Sequence, residues 1–282
     1  MKNILVPVDY SDTAKNAAHY ALGLSKQLGA SKIILYNAFQ PPMPVDTIGI
    51  ATDGNFNTLG LYDTEGLIES NKVHLERLKK EISEAYGNDT TVETISEYNL
   101  LTEGVKEICK SQDIALIVMG ISEGDGLTET LTGSNSLDVA KQVTTPVIIV
   151  PHAATYQPIQ QVLFTCDYKN VTDTVPITLL KNILTATGAH LHVLHIDADA
   201  ETEEHRQQAA ILKNVLNDVS AQFHSLQHAN FKEVVNQFVA QNNIDLLAAI
   251  PKRHRFFEGL FHHSRTKELA FHSSIPLLLM HD

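Results

Sequence analysis

The first apolar run of the chain ends in a carboxylate and a hydroxyl, in ILVPVDYSD from Ile4, where Pro7, Asp9 and Ser11 stand at alternate positions. A carboxylate at a strand end accepts hydrogen bonds from ligand hydroxyls or amines. A second chemical stretch, VMGISEGDGLTETLTGSNSLDVAKQ, begins at Val118 and sets Gly120, Gly124, Gly126 and Gly133 within fourteen residues. Glycine permits positive φ and lets a backbone approach a ligand closely. The step Gly133-Ser134-Asn135 then opens an amphipathic run, and unpaired N–H groups at a helix start attract anions. Backbone amides wrapped around phosphate are one reading of this stretch; a flexible surface loop with an ordinary Ser/Asn cap is the other. It is not a P-loop, because no Gly-Lys-Ser/Thr step occurs, and Gly124 and Gly126 are followed by Glu129 where a G-x-G-x-x-G would need glycine. Glu123 and Asp125 would repel a phosphate unless a divalent cation such as Mg²⁺ bridged them.

The elements around these residues alternate in period. Residues 3–9 read as a short buried strand, and residues 12–28 carry Ala14, Ala17, Ala18, Ala21, Leu22 and Leu24 at helical spacing behind an N-cap at Ser11 or Asp12. A strand over 33–39 leads into the 40–61 loop, whose length calls for a functional or disorder explanation. Helices are expected over 62–85, 101–111 and 134–143, and strands over 91–97, 114–120 and 146–150. Apolar strands separated by helices make a doubly wound parallel sheet with right-handed crossovers. Its ligands sit at the C-terminal strand ends, near the switch in strand order. Both chemical stretches fall there.

The pattern occurs twice. QQVLFTCDYKN from Gln160 answers KNILVPVDYSD, and GAHLHVLHI from Gly188 answers GASKIILYNAF. NNIDLLAAI answers QDIALIVMG, and IPLLLMH answers TPVIIVP. The chain of 282 residues therefore divides into domains at 1–151 and 159–282, joined by the polar PHAATYQP stretch. The closing runs TPVIIV and IPLLLM are apolar edges that need cover. They are expected to pair within the chain as an intramolecular pseudo-dimer, with a homodimer as the further assembly. A formal net charge of −12 argues against a nucleic-acid backbone as partner. Two cysteines, Cys109 and Cys166, lack metal spacing and fit a reducing compartment. No signal peptide and no membrane-spanning run is read, so the expected location is cytoplasmic.

On these residues the first unit resembles a universal stress protein domain, and the whole chain resembles a tandem universal stress protein. The matching features are Pro7, Asp9 and Ser11, then Gly120 and Gly133-Ser134 thirteen residues apart, with Gly126-Leu127 between. The family's middle glycine falls on Glu123, beside Gly124. The resemblance implies an α/β fold of strand order 3-2-1-4-5, of the adenine-nucleotide α-hydrolase type, and ATP binding in one branch of the family. It implies that Asp9 meets the ribose or adenine, with Pro7, Val8 and Ser11 among the cofactor-binding residues, and that the backbone near Ala38 meets the adenine edge. Met119 and Gly120 would line the floor, and Gly124, Gly126, Gly133, Ser134 and Asn135 would hold the phosphates, with Mg²⁺ as an accompanying ion.

The second unit departs from the pattern. Asp167 remains, but Lys169 replaces the serine and the loop IPKRHRFFEGLFHHS has one glycine, Gly259. Its Lys252–Arg255 patch reads as a solvated rim, with an anion site as the alternative. Twelve of fourteen histidines follow Pro151. In HLHVLH, His190 and His192 share a strand face and His195 takes the other. No acidic or cysteine partner is read at ligand spacing, so no metal is expected. Two function classes follow: a stress-response nucleotide binder acting as sensor or regulator, with at most slow ATP hydrolysis, or a scaffold that presents the 40–61 loop or the 252–262 segment to a protein partner. An enzyme of the wider adenine-binding superfamily stands third, since the usual His-x-Gly-His motif is missing.

Overall fold

The structure is a computed structural model that describes residues 3–40, 64–86, 90–121, 134–197, 202–228, 230–251 and 274–281. The first half contains β1 (Asn3–Pro7), α1 (Asp12–Leu28), β2 (Lys32–Phe39), α2 (Thr64–Tyr86), β3 (Thr91–Tyr98), α3 (Leu101–Ser111), β4 (Ile114–Ile121), α4 (Ser134–Gln142) and β5 (Val147–Pro151). The second contains β6 (Gln161–Thr165), α5 (Val171–Thr174), α6 (Ile177–Thr187), β7 (His190–Asp197), α7 (Glu203–Val215), β8 (Ala221–Gln227), α8 (Phe231–Gln241), β9 (Leu246–Ala249) and β10 (Leu277–Leu279). The elements read from periodicity in the first half match these within two residues.

The ten strands among the described residues form one sheet in the order β3-β2-β1-β4-β5-β10-β9-β6-β7-β8. Each half runs 3-2-1-4-5 in its own count, parallel throughout, as the α/β expectation requires. The halves meet at β5 and β10, which pair antiparallel with Ile148 opposite Leu278. The pairing of the two closing runs within the chain is therefore present. Val147, Ile148, Ile149, Leu277, Leu278 and Leu279 are all buried. Each such side chain contributes about 1.5–3 kcal/mol of burial before entropy costs.

Helix α1 shows how sequence sets the layers. Ser11 caps it by accepting from the Ala14 amide, and Gly29 ends it at φ 62°. The alanines of its buried face let it lie close on the sheet, with α2, α6 and α7 on that same side. The opposite face is covered by α3, α4 and α8. Both apolar layers run through both halves. The joint is fixed to α1: Gln27 bonds the backbone N–H and C=O of Ile159 and the hydroxyl of Tyr156, and the Tyr156 ring fills the space where a Cβ on Gly23 would stand. Asn16 donates to the carbonyls of Pro151 and Ala154.

On β7, His192 lies against His190 and against His224 of β8, as the face assignment expects. Its Nδ1 is 3.1 Å from His224 Nε2, and its Nε2 is 3.1 Å from Gln161 Oε1. Burial, then the neighbouring imidazoles, push the pKa of His192 below its ordinary 6.5, and burial followed by His190 does the same to His224. Below 6.5 the unfolded chain thus binds more protons than the folded one. Stability is intact above that value and falls as the pH drops toward the lowered folded values. Urea unfolding at about pH 7.5 and about pH 5.5 should show this acid loss, and His224→Gln should shrink it. An equal loss in the variant would clear the histidine pair.

Candidate functional site

The switch in strand order of the first half lies between β1 and β4, since β2 extends the sheet one way from β1 and β5 the other way from β4. Asp9 stands two residues past the end of β1 and is exposed. Its Oδ1 accepts from the Ser11 amide at 3.1 Å and from the Ser11 hydroxyl at 2.5 Å. That hydroxyl oxygen in turn accepts from the Ala14 amide at 3.2 Å. Tyr10 between them takes the left-handed conformation at φ 66°, which turns the chain sharply into α1. Its ring rests on His74 and its hydroxyl donates to the Asn71 carbonyl; burial pushes that phenol up to about 12. The Pro-x-Asp-x-Ser spacing thus produces a carboxylate held in one orientation by a helix cap.

Gly120 near the end of β4 has a different reason to be glycine from the one read in the sequence. A Cβ there would stand 2.4 Å from the Thr13 carbonyl oxygen and 2.7 Å from Thr13 Cγ2. The residue is small so that β4 can pass under the first turn of α1. Its carbonyl accepts from the Ser136 hydroxyl at 2.6 Å, and Ser136 is buried. Sequence reasoning missed Ser136; its place two residues into an amphipathic run after Gly-Ser-Asn was the available signal. Met119 packs its side chain into the layer under α3 and α4. Pro7 and Val8 are buried, Val8 in the layer under α1, and Ala38 on β2 is half-buried. Asn135 is exposed in the first turn of α4, which Ser134 opens. Gly124, Gly126 and Gly133, with Glu123 and Asp125, lie outside the described residues, as do most of the 40–61 loop and the 252–262 segment with its basic patch.

A second residue missed by the sequence reading is Asn37. Its Nδ2 donates to the Val8 carbonyl at 2.9 Å. Its Oδ1 is buried with no hydrogen-bond partner among the described residues. The second half repeats the device at a constant offset of 158 positions, the offset that relates Asn3 to Gln161 and Lys32 to His190. There His195 replaces Asn37, and its Nδ1 donates to the Cys166 carbonyl at 2.9 Å. Tyr168 repeats the left-handed turn of Tyr10 at φ 51°, and Asp167 Oδ1 accepts from the Lys169 amide at 3.2 Å. The serine hydroxyl bond is lost with Lys169. The metal expectation also changes here. His195 lies on the face opposite His192, as read, but Asp197 on the same face and His205 from α7 bring ligand atoms within 4.8 Å of it.

The model of the universal stress protein family matches residues 1–151. The chain belongs to that family. Two universal stress proteins of Methanocaldococcus jannaschii align with it. One is 27% identical over 149 residues, covering 53% of this chain and 81% of the relative. The other is 26% identical over 156 residues, covering 53% and 94%. Over the full length, the solved structure of a universal stress protein from Archaeoglobus fulgidus superposes with a TM-score of 0.72 at 18% identity, covering 99% of this chain and 96% of that one. A functionally unknown protein from Pseudomonas aeruginosa follows at a TM-score of 0.56 and 11% identity, covering 99% and 92%. These structural likenesses are likenesses of fold. No helix among the described residues is long and apolar enough to cross a membrane.

Gly120→Ala tests the packing account. The new methyl group meets backbone rather than a flexible side-chain end, so α1 must lift from β4 at a cost of about 1–3 kcal/mol. A lowered urea midpoint with an unchanged m-value is the expected result. A midpoint equal to the parent's would mean that the close contact is not fixed.

Proposed function

We propose that residues 1–151 form a domain that binds ATP or a related adenine nucleotide, and that residues 159–282 form a second domain of the same kind with a degenerate phosphate loop. The protein acts as a cytoplasmic stress-response sensor or regulator. The observation that carries this reading is the Asp9 carboxylate, held by the Ser11 cap at the switch point of the sheet. Asp9 accepts from a ribose hydroxyl. The Ala38 backbone and the buried Asn37 oxygen supply polar contacts for the adenine edge. Amides of Gly124, Gly126, Gly133, Ser134 and Asn135 hold the phosphates at the start of α4, and Mg²⁺ relieves the charge of Glu123 and Asp125. No residue is assigned to hydrolysis, which would be slow at most.

Titration calorimetry of the full chain with Mg²⁺-ATP should give a stoichiometry near one. Gly133→Val places a branched side chain in phosphate space and should raise the dissociation constant about a hundredfold or more while the thermal melt stays native. Asp9→Ala removes one charged acceptor and should raise it about tenfold or more. Two equal sites, or unchanged affinity in both variants, would sink the reading in favour of a scaffold. Glu123→Gly removes a charge from the phosphate loop and should tighten binding, most visibly at low salt.

A further inference from the structure

The geometry points to a divalent transition-metal site in the second half, built from His195, Asp197 and His205, for an ion such as Zn²⁺. The site lies at the C-terminal end of β7 and the first turn of α7. This is the edge at which ligands of open parallel sheets bind. One ligand atom from each residue lies within 4.8 Å of the others. Two imidazoles and one carboxylate are a donor set suited to Zn²⁺ and its neighbours, with a position left for water.

The independent sign is the state of the two rings. His195 is 2% exposed. Its Nδ1 faces the Cys166 carbonyl, which can only accept, so Nδ1 carries a proton and in the neutral ring Nε2 presents the lone pair. That Nε2 is buried and has no hydrogen-bond partner among the described residues. A ring nitrogen that donates to a backbone carbonyl while the other presents a lone pair is the arrangement that orients metal-bound histidines. His205 repeats the sign: its Nδ1 is also buried and unpartnered among the described residues. The two rings touch edge to face, with centroids 4.8 Å apart, and Tyr168 stacks on the other side of His195 at 4.7 Å. Two buried ring nitrogens, one on each of two touching imidazoles, have no partner among the described residues, and a cation bound by both rings would supply one. Tetrahedral coordination at about 2.1 Å per ligand sets ligand atoms roughly 3.4 Å apart. Asp197 and His205 are half-buried, so closing that gap takes a shift of side chains that are not locked in the core.

The first half cannot do this. Asn37 stands where His195 does, and Phe39 stands where Asp197 does. The second half has kept the strand-end bond to a carbonyl and exchanged the group behind it for a metal ligand. This inference does not rest on nucleotide binding by residues 1–151.

The test uses the full chain, stripped with chelator and titrated with Zn²⁺ by calorimetry and with Co²⁺ by visible absorption. The parent should bind one ion tightly, with Co²⁺ bands of a low-coordinate site. His195→Asn restores the residue of the first half and preserves a donor for the Cys166 carbonyl, so it should fold. Together with His205→Ala it should weaken Zn²⁺ binding roughly a hundredfold and remove the Co²⁺ bands; Asp197→Asn should weaken binding roughly tenfold or more. His224→Gln, in the separate histidine pair on the other face, should leave the site intact. No tight ion in the parent, unchanged binding in both His195→Asn and His205→Ala, or loss confined to His224→Gln would each overturn the assignment.

Discussion

The antiparallel pairing of β5 with β10 governs the molecule. Each half is a parallel sheet that ends in an apolar strand with one edge unpaired, and an open edge of that kind recruits other chains. Joining the two edges removes both liabilities at once and buries Ile148 and Leu278 in the middle of a ten-stranded sheet. It also fixes polarity. Because the seam is antiparallel and every other neighbour is parallel, all strands of the first half run opposite to all strands of the second. Their C-terminal ends therefore face opposite edges of the sheet.

Within each half a smaller constraint recurs. The chain must turn from the first strand into the layer above, and the residue before the aspartate is left with a carbonyl at the strand end. A side chain from the neighbouring strand satisfies it: Asn37 for Val8, His195 for Cys166. An unsatisfied carbonyl there would cost about 1–3 kcal/mol. The left-handed Tyr10 and Tyr168 and the turn-spanning Asp9 and Asp167 complete the same device. Both residues able to donate this bond carry a second polar atom, and that atom is left pointing away from the carbonyl. The structural requirement therefore leaves behind a chemical group, which each half can use differently.

What the sequence disclosed follows from how local each cause is. Strand and helix periods, the Ser11 cap and the Asp-Tyr repeat are set by residues within a turn or two of one another, and they were legible. The seam was legible because both closing runs are apolar on both faces. The reason for Gly120 was not, since the Thr13 carbonyl that excludes a side chain is more than a hundred positions away. Asn37 and Ser136 were missed because each acts on a carbonyl outside its own element: Asn37 of β2 on Val8 just past β1, and Ser136 of α4 on Gly120 of β4. His205 was invisible as a neighbour of His195 because strand direction, loop path and helix entry together decide where it lands, while Asp197 was overlooked though it shares the strand face two residues on.

The candidate sites of the two halves lie at opposed edges of the sheet. Asp9 just beyond β1 and His195 near the end of β7 stand at these different edges, each held by its own neighbours. Any coupling between them would have to pass through the apolar layers, which do run unbroken across the seam. Packed layers of this kind transmit strain only where an element has two arrangements. Asp9 is held by a helix cap, and His195 by a carbonyl and two aromatic neighbours. The antiparallel seam therefore gives one framework two opposed strand-end edges, each lined by its own residues.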